Sequence, residues 1–218
     1  MWTLPNILTM IRLIAAPMVA VMFLYFTRPY ADWAALILFV GAALTDWLDG
    51  FLARAWKQES KLGAMLDPIA DKAMVVIALV VLASVFGLEA LILIPAALIV
   101  FREIFVLGLR EFLGDVAGTL HVTKMAKWKT TAQMVAIALL FAVGIFEHYF
   151  IIITVGMDPQ ILDKILSLTI ADSSHLVYYY RGMYVTWYSG VTLLWAAAAL
   201  TVVTGAGYFR KALPHLRD

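Results

Sequence analysis

Cysteine is absent from this chain of 218 residues, and charged side chains are scarce. Without cysteine there can be no disulfide, no thiolate metal ligand and no cysteine nucleophile, so any bound metal must use oxygen or imidazole ligands. Only 14% of the residues are charged, whereas about 25% is usual in a soluble domain. The 16 basic and 15 acidic residues give a net charge of +1, which lacks the positive excess that binds nucleic acid. These scarcities exclude thiol chemistry and argue against a nucleic-acid partner.

Hydrophobic residues, by contrast, make up 64% of the chain, well above the roughly 45–50% of a soluble domain. This composition excludes a soluble globular protein and also a disordered one, because disorder needs low hydrophobicity and high net charge. Six apolar runs reach the length of about 20 residues that crosses a bilayer. They lie at Ile7–Phe26, Trp33–Arg54, Ala64–Phe86, Ala90–Leu109, Thr130–Ile153 and Trp187–Tyr208. We therefore predict an all-α integral membrane protein with six transmembrane helices in a single domain over residues 1–218.

The lysines and arginines of the predicted loops favour one orientation in the membrane. Because six spans place both termini on the same side, the loops form two sets that are compared under the positive-inside rule. Ten basic residues lie on the side of the termini: Arg54, Lys57, Lys61, Arg110, Lys124, Lys127, Lys129, Arg210, Lys211 and Arg217. Three lie on the other side: Arg28, Lys164 and Arg181. This asymmetry predicts cytoplasmic termini and places the stretch Asp158–Arg181, a predicted surface connector, on the opposite side.

Several of the predicted spans contain ionisable residues, and the acids lie toward the cytoplasmic ends. A charge at the centre of a membrane helix costs about 2.5–3.5 kcal/mol, so each such residue is a candidate for function. The candidates are Asp46 and Asp49 in the second span, Asp67, Asp71 and Lys72 in the third, and Arg102 and Glu103 in the fourth. Because neighbouring residues on a helix point about 100° apart, we do not expect Glu103 to pair with Arg102.

The acids of the second span share one helix face with small residues. At about 100° per residue, Asp46, Asp49 and the small residues Gly50 and Ala53 fall on the same side of the helix. Small side chains let a backbone or a flat ligand approach closely. This face is therefore expected to present two carboxylates beside an open surface.

A second acidic stripe lies in the third span. Gly63, Asp67 and Asp71 are spaced four residues apart, which places them on one helix face, and Pro68 predicts a kink or a helix start beside them. Two helices can then present four carboxylates to each other, and these repel one another. Divalent cations relieve the repulsion, and oxygen ligands suit Mg²⁺, Mn²⁺ or Ca²⁺. The alternative, in which the acids are only solvated helix ends, does not explain two coinciding stripes.

Taken together, these residues resemble the signature of the CDP-alcohol phosphotransferase family. The signature is Asp46-x2-Asp49-Gly50-x2-Ala53-Arg54-x8-Gly63-x3-Asp67-x3-Asp71, and every fixed position is present. Further similarity lies in Leu4–Arg12, Leu66–Lys72, Arg102–Phe112, Lys127–Met134 and Leu213–Leu216. Members of this family are membrane enzymes with six spans, usually homodimeric, that transfer a substituted phosphate from a CDP-linked donor to an alcohol and release CMP. The resemblance covers the chain from Leu4 to about Ala142 and its last span.

The resemblance implies roles for individual residues. It implies that two divalent cations, Mg²⁺ or Mn²⁺, bind Asp46, Asp49, Asp67 and Asp71, and that Asp71 is also the catalytic base. It implies CDP-diacylglycerol as donor, contacted by Asn6, Thr9, Gly50, Ala53, Arg54 and Ser60. For the acceptor, sn-glycerol 3-phosphate, the candidate phosphate-binding residues are Arg102, Arg110, Lys127 and Lys129. Positive-inside anchoring or attraction to anionic lipid is the alternative explanation for the two lysines.

Other functions stay open at this point. A member of the same family could use another acceptor, namely serine, inositol phosphate, choline or phosphatidylglycerol. A secondary transporter also carries intramembrane carboxylates, but it places them around the midplane rather than at one membrane edge. An enzyme that transfers a polyprenyl group would use similar acids with Mg²⁺, but it has no evident use for the Gly50-x2-Ala53-Arg54 pattern. We expect a homodimer in the bacterial cytoplasmic (inner) membrane, surrounded by lipid, with its active site facing the cytoplasm.

Overall fold

The computed structural model describes residues 3–56, 60–114 and 124–215, and it describes the side chains of residues 3–46, 60–114 and 128–214. Every regular element in these ranges is a helix. The helices are α1 (Leu4–Tyr25), α2 (Tyr30–Trp56), α3 (Lys61–Val85), α4 (Ala90–Leu113), α5 (Lys124–Thr154), α6 (Pro159–Leu166) and α7 (Leu176–Ala212), followed by a 3₁₀ helix (Leu213–His215). The all-α class expected from the sequence is thus confirmed for the described residues.

Within the described residues, five helical segments are long and apolar enough to cross a membrane. They are Leu4–Tyr25, Lys61–Val85, Ala90–Leu113, Trp128–Thr154 and Leu176–Ala212. The remaining long helix, α2, has 27 residues and is about 40 Å long at 1.5 Å per residue, but the side chains of its residues 47–56 lie outside the described part. The sixth span and the side of the termini therefore stay predictions.

Large apolar side chains are exposed along these helices. The exposed fraction is 78% for Leu24, 61% for Val80 and 73% for Phe112. Exposed apolar surface of this kind is unfavourable in water but matches the hydrocarbon of a bilayer. The exposed faces therefore support a membrane location independently of the composition.

The chain divides into two compact units, and the first contains both acidic stripes. Unit 1 comprises Met1–Ala78 and Ala138–Gly190, so it includes α1, α2, most of α3, the second half of α5, α6 and the beginning of α7. Phe39 and Phe141 are each 1% exposed and meet edge to face, with ring centroids 6.1 Å apart. These rings form part of the apolar packing that joins α2 to α5.

Unit 2 contains the four predicted acceptor-binding cations, and the side chains of three of them, Arg102, Arg110 and Lys129, are described. It comprises Leu79–Ile137 and Val191–Asp218, so it includes the end of α3, all of α4, the first half of α5 and most of α7. Fully buried residues from three of these helices form its core, namely Ile92, Ile99, Ile137, Leu194, Ala197 and Ala198. The unit thus fixes α4 against α5 and α7.

The predicted surface connector Asp158–Arg181 is partly helical, and it is shorter than expected. The carboxylate of Asp172 accepts hydrogen bonds from the backbone N–H groups of Leu176 at 2.8 Å and Val177 at 2.9 Å. These bonds satisfy free donors at a helix start, so α7 begins at Leu176 rather than at Trp187. The prediction of a connector up to residue 181 is therefore wrong in its last part.

The first part of this stretch is a packed element. Helix α6 buries Ile165 against Leu176 and Val177 at the start of α7. Apolar side chains from the end of α5, the turn after it and α6 pack around this cluster: Phe150, Ile153, Met157, Leu162 and Leu166. The first part of the connector is therefore packed against α5 and the start of α7.

Candidate active site

Three carboxylates of the two acidic stripes converge on one arginine in unit 1. Asp46 lies on α2, and Asp67 and Asp71 lie one turn apart on α3. Arg12 on α1 donates from Nη1 to Oδ1 of Asp46 and, at 2.5 Å, to Oδ1 of Asp71. Its Nη2 atom lies 3.9 Å from Oδ1 of Asp67. Carboxylates from two helices thus meet around a guanidinium group that a third helix supplies.

The arginine and the acids of this Arg12 cluster (Arg12, Asp46, Asp67 and Asp71) differ sharply in exposure. The side chain of Arg12 is 2% exposed, whereas those of the three acids are 44%, 47% and 51% exposed. A guanidinium stays charged at physiological pH, and a buried charge is tolerated only when it is paired. The acids therefore pair with Arg12 on their inner side while their outer side stays accessible.

The beginning of α1 is tied to the beginning of α3 beside these acids. The hydroxyl of Thr9 donates to Oδ1 of Asp67 at 2.6 Å. The hydroxyl of Ser60 donates to Oδ1 of Asn6 at 2.8 Å. A Cβ atom added at Gly63 would lie 2.8 Å from the same Asn6 oxygen, closer than packed atoms normally approach. The glycine of the signature thus makes room for the close approach of α1 to α3.

The structure locates some of the residues predicted to bind metal and donor. It brings Asp46, Asp67 and Asp71 together, as two facing stripes require, and it places Asn6, Thr9 and Ser60 in the contacts between α1 and α3. The remaining predicted residues have side chains outside the described part: Asp49, Gly50, Ala53 and Arg54. Because no metal or nucleotide contact is observed directly, the proposed roles of all these residues stay predictions.

The Arg12 cluster fits a divalent cation in donor type and in charge. Among the described side chains, no group of three or more acidic or histidine residues is already arranged around a cation position, and the inner oxygens of the cluster face Arg12 instead. The exposed carboxylate oxygens are the hard ligands that Mg²⁺ and Mn²⁺ prefer. The three described carboxylates carry more negative charge than the one guanidinium balances. A divalent cation has the charge that balances this excess.

In unit 2, two of the predicted acceptor-binding cations share one acid. Nζ of Lys129 lies 2.5 Å from Oε1 of Glu103, and Nη1 of Arg102 donates to the same oxygen at 3.0 Å. The expectation that Glu103 would not pair with Arg102 is wrong, because the long guanidinium side chain spans the angle between neighbouring helix positions. Lys129 is 6% exposed, so simple anchoring at the membrane surface does not explain its position.

The third predicted cation, Arg110, lies in the last turn of α4. Its Nε atom donates to the hydroxyl of Tyr208 at 3.1 Å, and its guanidinium carbon lies 5.4 Å from the centre of that ring. This geometry is a cation–π contact, and the guanidinium stays exposed. Arg110 is therefore held in place and still accessible to an anion, whereas the side chain of Lys127 lies outside the described part.

Three residues of these sites had no specific role predicted from the sequence: Arg12, Glu103 and Tyr208. Arg12 did have a signal, because it is the single charged residue of the first apolar run and an isolated intramembrane charge requires a partner. Glu103 is also an intramembrane charge, but the angle between neighbouring helix positions did not indicate its pairing with Arg102. Tyr208 had no such signal, since its contact with Arg110 depends on the packing of α7 against α4.

Known proteins are similar in sequence to this chain over most of its length. Residues 2–160 match the family model described as CDP-alcohol phosphatidyltransferase. The chain is 58% identical over 218 residues to CDP-diacylglycerol--glycerol-3-phosphate 3-phosphatidyltransferase of Cereibacter sphaeroides, which covers 100% of this chain and 98% of that protein. It is 40% identical over 151 residues to proteins of the same name from Escherichia coli K12 and Shigella flexneri serotype 5b, which covers 68% of this chain and 82% of each. The chain therefore belongs to the CDP-alcohol phosphatidyltransferase family.

Proposed function

We propose that this protein transfers the phosphatidyl group of CDP-diacylglycerol to sn-glycerol 3-phosphate and releases CMP. The observation that carries the proposal is the convergence of Asp46, Asp67 and Asp71, three fixed positions of the signature, in one accessible cluster. The donor and the acceptor appear in the names of the relatives, which supports these substrates. Family membership favours phosphatidyl transfer over the transporter and polyprenyl-transfer alternatives.

The pyrophosphate of the donor is proposed to bind at the Arg12 cluster. The resemblance and the donor chemistry support two divalent cations, Mg²⁺ or Mn²⁺, at Asp46, Asp49, Asp67 and Asp71. Such cations, when bound, neutralise the pyrophosphate oxygens and the charge of the departing CMP. The proposed contacts to the donor are Asn6, Thr9, Gly50, Ala53, Arg54 and Ser60. The hydrogen bonds of Thr9 to Asp67 and of Ser60 to Asn6 support a role for α1 in shaping this side of the site.

Asp71 is proposed as the general base. Its side chain is 51% exposed, and the hydrogen bond of 2.5 Å from Arg12 fixes its orientation while one side stays open. The carboxylate takes the proton from the acceptor hydroxyl as the acceptor oxygen bonds to the lipid-side phosphorus. The bond between that phosphorus and the CMP oxygen breaks, so CMP leaves with the electron pair and the phosphatidyl group stays on the acceptor.

The phosphate of the acceptor is proposed to bind cations of unit 2, namely Arg102, Arg110, Lys127 and Lys129. Arg102 and Lys129 both donate to the same carboxylate oxygen of Glu103. The two cations are therefore only partly balanced by this acid. Arg110 presents an exposed planar guanidinium, which suits bidentate contact with phosphate. These features support a phosphorylated acceptor over serine or choline.

The proposed setting is the bacterial cytoplasmic membrane, where the protein is a homodimer with its active site facing the cytoplasm. Five long apolar helices support the membrane location. The excess of loop lysines and arginines on the side of the termini supports the orientation. The resemblance alone supports the dimer.

Release of CMP by the purified protein tests this function. With CDP-diacylglycerol and Mg²⁺ or Mn²⁺, we expect CMP release when sn-glycerol 3-phosphate is added, and none with serine, inositol phosphate, choline or phosphatidylglycerol. A chelator added before the metal should stop the release. Release with serine or inositol phosphate alone would contradict the acceptor assignment, and release unaffected by the chelator would contradict the proposed metals.

A further inference from the structure

Arg12 is a buried cation placed at the inner side of the carboxylates, on a helix whose other residues are mostly apolar. One nitrogen, Nη1, carries two hydrogens, and the structure uses one for Asp46 and the other for Asp71. These acids belong to α2 and α3. A single nitrogen of α1 thus bridges the carboxylates of two other helices.

The charges in the cluster explain why such a cation is needed. Carboxylates within a few ångströms repel one another, and partial burial strengthens the repulsion because water screens it less. Arg12 balances one of the three negative charges, so Asp46, Asp67 and Asp71 without it would carry all three. A guanidinium and a divalent cation would both stabilise the same three carboxylates, although they repel each other.

We propose that Arg12 is a positioning residue that serves as an internal counter-cation for the metal-binding carboxylates. It holds Asp46 and Asp71 together when no metal is bound, and it weakens metal binding by opposing the charge of the metal. This inference rests on the proposed use of divalent cations. Because coupling between two sites is reciprocal, the stabilisation by Arg12 must be larger in the metal-free protein than in the metal-bound one.

The full chain, purified in detergent without substrates, tests this with Mn²⁺ as the probe. In Arg12→Gln we expect the metal-free protein to unfold at a lower temperature than the wild type, because the carboxylates lose their counter-cation. We expect its affinity for Mn²⁺ to rise on the order of tenfold, because a repelling charge has been removed. The rise in unfolding temperature on addition of Mn²⁺ should therefore be larger in the variant.

Arg28→Gln is the matched control. Arg28 belongs to the same unit and also pairs with two acids, Asp32 and Glu147, at 3.2 Å. Arg28 precedes α2. Asp46 lies about 24 Å from the first residue of that helix, at 1.5 Å per residue. This control should also lower the unfolding temperature, but it should leave the affinity for Mn²⁺ unchanged. The comparison separates a charge effect at the carboxylates from a general loss of stability.

An equal or weaker affinity for Mn²⁺ in Arg12→Gln would overturn the inference. Should that variant fail to fold without metal, Arg12→Lys decides, because it keeps the charge but loses the second guanidinium nitrogen, which lies 3.9 Å from Oδ1 of Asp67. A lower metal-free unfolding temperature with affinity within about threefold of the wild type supports the inference, and a larger change in affinity overturns it.

The experiment also separates this inference from the proposed function. A wild-type protein that binds no Mn²⁺ but releases CMP with sn-glycerol 3-phosphate overturns the role of Arg12 and leaves the substrates standing. If Arg12→Gln shows the expected changes in stability and in Mn²⁺ affinity but the wild type releases no CMP, the inference is supported and the proposed substrates are contradicted.

Discussion

Two clusters among the described side chains of unit 1 each join one arginine to several carboxylates, and the two are built in opposite ways. In the Arg12 cluster the arginine is 2% exposed and the acids are about half exposed. In the Arg28 cluster (Arg28, Asp32 and Glu147) the arginine is 36% exposed, Glu147 is 39% exposed and Asp32 is only 2% exposed. The first cluster buries its cation and presents its acids, whereas the second buries an acid and presents its cation.

The packing around Asp32 shows what the second arrangement is for. A Cβ atom added at Gly144 on α5 would contact the carboxylate of Asp32 and lie 2.9 Å from Nη2 of Arg28. Protein atoms therefore fill the space where a ligand of Asp32 would bind. The Arg28 cluster joins the start of α2 to α5, while the Arg12 cluster keeps accessible oxygens. Exposure of the acids, rather than the number of ion pairs, distinguishes a reactive cluster from a structural one.

The largest difference between the clusters should appear when one acid of each is neutralised. Asp71→Asn removes the proposed base, so CMP release should fall by at least about 10²-fold, the usual contribution of general-base catalysis. The measurement is the rate of CMP release per folded protein, with sn-glycerol 3-phosphate and Mg²⁺. Near-normal turnover in Asp71→Asn would remove this residue as the base.

Asp32→Asn is the matched control in the other cluster. It removes an ion pair whose acid is buried, so the unfolding temperature should fall. Asp32 lies about 21 Å along α2 from Asp46 at 1.5 Å per residue, so CMP release per folded protein should stay at the wild-type level. A large loss of turnover without a loss of stability would show that the Arg28 cluster is not merely structural.

Two glycines allow a smaller test of the same comparison. Gly144→Ala and Gly63→Ala each force a side chain into occupied space, at the Arg28 cluster and beside Asn6 respectively. Overpacking costs typically about 1–3 kcal/mol, so thermal unfolding should detect both changes. Only Gly63→Ala should also slow CMP release per folded protein, because it displaces α1 beside Asp67. Equal turnover in the two variants would contradict the separation of the clusters.

The smallest expected effect concerns another acid of unit 1, Asp172, which accepts hydrogen bonds from backbone amides. Desolvation acts to raise the pKa of Asp172, but the hydrogen bonds from Val177, Leu176 and Ser174, together with the charge of His175, outweigh it and lower the pKa below its usual 3.8. Such a carboxyl has a lower pKa in the folded protein than in the unfolded chain. It stabilises the folded state fully at pH values above its unfolded-state pKa, and this stabilisation is lost as the pH falls through the folded-state pKa.

Asp172→Ala tests this helix cap. Near neutral pH it should lower stability by about 1 kcal/mol or less, the usual value of an N-cap near the surface. The difference in unfolding temperature between wild type and variant should shrink as the pH falls below about 4. A difference that does not change with pH would show that the charge of Asp172 contributes nothing to the start of α7.

The helices and the acidic stripes could be predicted because both follow from local spacing. Apolar runs fixed α1 and α3 to within three residues of the observed starts, and a spacing of four residues was enough to place Asp67 and Asp71 on one face. The start of α7 was missed because its first turns are rich in tyrosine and polar residues, and because the Asp172 cap is not apparent from hydrophobicity.

The pairing of side chains could not be predicted in the same way. The bond between Arg102 and Glu103 depends on the reach of a flexible side chain, which a rule based on backbone angles ignores. The contacts of Arg12 with Asp46 and Asp71 join residues 34 and 59 positions apart, so they depend on how three helices pack. The sequence predicted that Asp46, Asp67 and Asp71 lie together, but not which cation holds them.

Binding of Mn²⁺ to the full chain in detergent, without substrates, tests most directly whether the two clusters differ in function. The wild type, Asp71→Asn and Asp32→Asn are compared at the same pH and salt. We predict that Asp71→Asn loses at least about tenfold in affinity, or about 1.4 kcal/mol, while Asp32→Asn binds Mn²⁺ as the wild type does. Equal affinities in all three proteins would contradict the assignment of the exposed carboxylates as the metal site.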